Sequence, residues 1–127
     1  MRFVNLLACD RPFVLLDDAR PGGTAILLTD PTELILARTQ EEVGPALDRM
    51  AAAEGGEMAG FLAYEAGYAL EPKLAPLAPE PGALPLIWFG LFGDARAVEV
   101  DALLPDPHGA WSGAVRPGLS LPGRAAG

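Results

Sequence analysis

The side chains able to do chemistry are few and widely spaced. Asp17-Asp18-Ala19-Arg20 places two carboxylates and a guanidinium at the end of the apolar run Phe13-Val14-Leu15-Leu16. Two carboxylates are the raw material of general acid–base catalysis. Adjacent strand residues, however, point to opposite faces, so these two cannot converge on one substrate atom unless the strand has ended. One of them can turn inward and accept bonds from backbone N–H groups or from Arg20. The plain reading is a strand-end turn. The other is a ligand-contacting loop, because loops after strands often carry sites. Tyr64-Glu65 and Glu71 follow a second apolar run, and Glu65 is expected as a buried ion-pair member with Lys73 or Arg38. Structural ion pairs perturb carboxylates as catalytic sites do. Tyr64, Tyr68 and Trp88 are expected as core aromatics with a satisfied polar atom. The single histidine, His108, sits in Pro107-His108-Gly109 with no converging partner, so no nucleophile–base pair is assigned. No catalytic residue and no metal ligand set is expected. Arg20-Pro21-Gly22-Gly23 leads into a strand, which rules it out as a phosphate loop.

The elements that must position these residues are legible in outline. Phe13–Leu16 reads as a strand, closed by the turn Arg20-Pro21-Gly22-Gly23. Ala25–Leu28 and Leu34–Ala37 flank Thr29-Asp30-Pro31-Thr32 and are expected to form an antiparallel hairpin. Thr39 and Glu42 form the capping-box pattern at a helix start, and Val43, Leu47, Met50 and Ala51 supply an apolar stripe before Gly55-Gly56 stops it. Met58–Tyr64 reads as a buried strand, and Ala66–Leu74 as a short helix or ordered loop broken near Pro72. Pro85–Phe92 has no polar residue on either face, the mark of a strand covered on both sides. After Gly93-Asp94, Ala95–Val100 is expected to return as its hairpin partner. The fold class is α+β: a mainly antiparallel sheet with one main helix.

Composition narrows the classes further. The chain has 127 residues, half of them hydrophobic and a fifth charged, which suits one globular domain. Seventeen acidic against nine basic residues give a net charge of −8. A nucleic-acid partner needs a basic footprint, and anionic membrane surfaces repel such a chain. A lone cysteine, Cys9, permits no intrachain disulfide and no Cys-rich zinc site, in keeping with a reducing cytoplasm. Asp10 and Arg11 interrupt the apolar start too early for a signal peptide. The longest uncharged apolar run, Pro81–Gly93, is too short and too proline-rich to span a membrane. No internal repeat is visible. Residues 105–127 are rich in Pro, Gly and Ala and read as a tail or linker after a domain over 1–104.

Three runs carry a family resemblance: Pro12–Arg20 (PFVLLDDAR), Ala59–Pro72 (AGFLAYEAGYALEP) and Pro85–Phe92 (PLIWFGLF). In this order they resemble the N-terminal region of the anthranilate synthase component I family. The Leu-Leu-Asp-Asp-Ala-Arg form is closest to its aminodeoxychorismate (para-aminobenzoate) synthase component I branch. The resemblance covers about residues 10–105. It implies the N-terminal part of that family's chorismate-utilising sandwich fold. It implies a cytoplasmic enzyme of folate biosynthesis that transfers ammonia to chorismate, with a glutamine amidotransferase subunit as partner. Chorismate and magnesium are then expected in a C-terminal chorismate-binding domain whose Gly-Asp-Ile-Tyr-Gln-type and Pro-Ile-Lys-Gly-Thr-type runs this sequence lacks, so no cofactor is expected in this chain. The resemblance also implies a candidate tryptophan-type pocket at Leu16, Asp17, Asp18 and Arg20, with Asp18 where the family pattern has serine. Two further readings stay open: a stand-alone small-ligand (amino-acid) binding module, and an inactive truncated fragment.

Overall fold

The computed structural model describes residues 10–103 together with Gly109 and Gly113. Cys9, His108 and nearly all of the expected tail lie outside the described residues. The chain runs β1 (Phe13–Leu16), β2 (Ala25–Thr29), β3 (Glu33–Ala37), α1 (Gln40–Ala51), β4 (Glu57–Leu62), β5 (Ile87–Phe92) and β6 (Ala95–Val98). Short 3-10 turns at Tyr64–Ala69, Ala75–Leu77 and Val100–Ala102 complete it. The α+β class is as expected: two antiparallel three-stranded sheets, ordered β1-β2-β6 and β3-β5-β4, with one main helix.

The two expected hairpins do not form. β2 and β3 belong to different sheets, as do β5 and β6. β2 pairs instead with β1 and β6, while β3 pairs with β5. The physical reason lies in the links. Asp30, at φ 54°, bends the chain through a corner rather than reversing it. Gly93-Asp94 makes the matching corner on the neighbouring strand, because β3 and β4 already occupy both edges of β5. The two corners lie side by side: the Thr32 N–H and hydroxyl both donate to the Leu91 carbonyl, at 2.8 and 3.0 Å. Continuing the β2–β6 register would set Glu33 opposite Gly90, yet it faces Leu91. A slip of one residue is what a bulge produces, and strands commonly change sheets through such bends.

One buried cluster lies between α1 and one face of the β3-β5-β4 sheet, while Ala25, Leu27, Leu28 and Phe92 are buried outside it. Ile35, Ala37 and Ile87 from the sheet meet Val43 and Ala46 from the helix, with Ala66 and Leu86 closing the cluster. Leu47 and Met50 pack at its margin, whereas Ala51, expected in the stripe, is exposed. The helix starts where the capping pattern sets it. The Glu42 carboxylate accepts the N–H groups of Arg38 and Thr39 at 2.6 and 3.2 Å. Those bonds hold the Glu42 carboxyl below the usual carboxylate range. Pro45 lies inside α1, where it leaves the Glu41 carbonyl without its helical N–H partner. Glu33 of β3 takes a two-pronged ion pair from Arg49 and ties the helix end to the sheet edge.

β5 is the central strand, with Ile87 and Phe92 fully buried, as its unbroken apolar sequence requires. β4 is different. It was expected to be buried, but it forms an edge, and Phe61 and Leu62 are 40% and 50% exposed. Apolar composition states what a strand would bury, not whether a covering layer is present.

Candidate functional site

β1 ends at Leu16, and the chain then folds back on itself in the way Arg20-Pro21-Gly22-Gly23 dictates. Pro21 fixes one turn dihedral, Gly22 takes φ 76°, and the Gly23 N–H donates to the Arg20 carbonyl at 2.8 Å. Gly23 must lack a side chain, since a Cβ there would lie 2.1 Å from the Asp18 carbonyl oxygen. Inside this loop Asp18 accepts from the Arg20 backbone N–H at 3.2 Å and from its guanidinium at 2.8 and 2.5 Å. The guanidinium bonds, then the backbone bond, lower the Asp18 carboxyl below its ordinary value; in return Asp18 raises the Arg20 guanidinium. Arg20 is therefore already engaged by a carboxylate of its own loop.

The loop opens onto a cavity of about 410 Å³. Asp17, Asp18 and Arg20 line one side, and Glu99 and Asp101, beyond the end of β6, line the other. Leu16, the fourth residue of the candidate pocket, is exposed and is not part of its lining. Glu99 and Asp101 were not anticipated. They arrive because β6 pairs with β2, a consequence of the corner at Gly93-Asp94. Four carboxylates face one guanidinium, and that guanidinium is held by Asp18. The arrangement attracts an ammonium and repels a carboxylate. None of its lining residues is Ser, Cys, Lys or His.

The second family-like segment is displaced from its expected role. Tyr64 is 87% exposed and Glu65 is exposed, so Tyr64 is not a core aromatic and no buried ion pair forms there, whereas Tyr68 and Trp88 are half-buried. Among the described residues no ion pair joins Glu65 to Lys73 or Arg38. The Glu65 backbone carbonyl accepts from the Gln40 amide at 3.1 Å, which docks this 3-10 turn on the start of α1. Ala66, not an aromatic, is its anchor in the core. A larger cavity of about 810 Å³ lies beside it, between the start of α1 and the Pro-rich stretch from Ala78 to Leu86. Glu42 accepts the Arg38 and Thr39 N–H groups just before the helix, and Glu41, Glu65 and Glu80 against Arg38 leave the lining acidic. An anion is not favoured there.

The remaining feature is a surface rather than a cavity. On the sheet face turned away from α1, Leu34, Gly90 and Ala59 form one row and Leu36, Trp88 and Phe61 the next. The Phe61 and Trp88 rings stack with centroids 6.3 Å apart. Leu34, Leu36 and Phe61 are each about 40% exposed. The face continues into a groove of about 490 Å³ bounded by Phe13, Val14 and Leu15 of β1 and by Gly60, Phe61 and Trp88. Gly90 and Phe92 on the same face are buried and Trp88 is half-buried, so the exposed part is the Leu34, Leu36 and Phe61 end.

Among the described residues, no group of three or more His, Cys, Asp or Glu side chains is arranged to hold a metal ion. No helix among them is long and apolar enough to cross a membrane. Compared with protein-family models, curated proteins and solved structures, the chain matches none.

Proposed function

We propose that this chain is the N-terminal, non-catalytic scaffold of an aminodeoxychorismate synthase of the component I type, acting in folate biosynthesis in the cytoplasm. The observation that carries the reading is the partly exposed apolar face of β3-β5-β4, where Leu34, Leu36 and Phe61 stand open beside the Phe61–Trp88 stack and the adjoining groove. A contiguous apolar patch of that kind marks an interface. The runs Pro12–Arg20, Ala59–Pro72 and Pro85–Phe92 supply the family to which the interface is assigned. In this reading the face docks a chorismate-binding domain, which brings chorismate and magnesium. A glutamine amidotransferase subunit delivers the ammonia that replaces the chorismate hydroxyl to give 4-amino-4-deoxychorismate. The chain's own residues take no part in bond making; β4, β5 and the end of β1 hold the partner domain in place.

The test is to mix the chain with a separately produced chorismate-binding domain of such a synthase and follow association by sedimentation. A one-to-one complex that Phe61→Lys abolishes is expected. The absence of any complex, or a complex indifferent to Phe61→Lys, overturns the reading.

The cavity beside Arg20 supports one alternative, a stand-alone amino-acid-binding module. Its lining argues for an ammonium group and against a carboxylate, so tryptophan is expected to give a flat calorimetric titration. Saturable heat with tryptophan would favour the alternative.

A further inference from the structure

We draw no further inference here: the strongest candidate, the apolar groove between β1 and the edge strand β4, belongs to the docking face already described, and nothing in the structure shows what else covers it.

Discussion

Gly90 and Phe92 provide a quantitative check on the corner that joins the two sheets. Phe92 is fully buried at the last position of β5, just before the chain crosses over. Its ring lies over Gly90: a Cβ on residue 90 would stand 2.5 and 2.6 Å from two ring atoms. Gly90 does not occupy the left-handed region, so alanine meets no backbone strain there. Gly90→Ala should therefore cost about 1–3 kcal/mol, all of it overpacking against the ring. Phe92→Ala removes that ring and should cost about 3–5 kcal/mol as a cavity substitution. In the double variant the new methyl enters the space the ring has left. Gly90→Ala then becomes neutral or gains roughly 0.5–1 kcal/mol from the lower entropy of the unfolded chain. The coupling between the two sites is on the order of 2–3 kcal/mol, near the upper end for residues in contact. Urea unfolding of the four proteins measures it, with Phe92→Val replacing Phe92→Ala if the latter does not fold. Additivity within about 0.5 kcal/mol would refute the packing described here.

Further outcomes follow from the same structure. The carboxyls of Asp18 and Glu42 are both lowered on folding, so their stabilisation is complete above the ordinary carboxylate range, about 3.9–4.3, and is lost as pH falls through their folded values. Glu42→Gln should flatten that acid limb in urea titrations; an unchanged slope would contradict the cap. Arg49→Gln frees the Glu33 clasp and should raise amide exchange along β3 and the end of α1 while leaving β1 and β2 unaltered. Uniform exchange changes across the chain would count against a local tie. The isolated chain should bind a hydrophobic dye, and Leu36→Lys with Phe61→Lys should remove most of that signal for a stability change within about 1 kcal/mol. Unchanged dye binding would place the apolar surface elsewhere.

Local chemistry was readable where one residue type has one physical outcome. Pro21-Gly22 specified the turn, Thr39 with Glu42 specified the helix start, and the unbroken apolar run to Phe92 specified a central strand. Pairing was not readable, because it depends on whether a short link reverses the chain or merely bends it. Thr29–Thr32 and Gly93-Asp94 carry ordinary hairpin-turn residues, yet both make corners. The direction is set by which strand edges remain free, a property of the assembled sheet. The candidate pocket was half legible for the same reason. Asp17, Asp18 and Arg20 sit in the loop the turn residues define, but Glu99 and Asp101 enter through the β2–β6 pairing. The exposure of Tyr64 and of β4 had no local signal either, since an apolar segment looks alike whether its covering layer is on the same chain or on another.

In the proposed function this polypeptide supports a reaction centre located outside it. Ammonia-dependent consumption of chorismate by the purified chain, with magnesium supplied, addresses that most directly. Turnover indistinguishable from the uncatalysed background is the predicted result, and conversion at an enzymatic rate by the chain alone would contradict it.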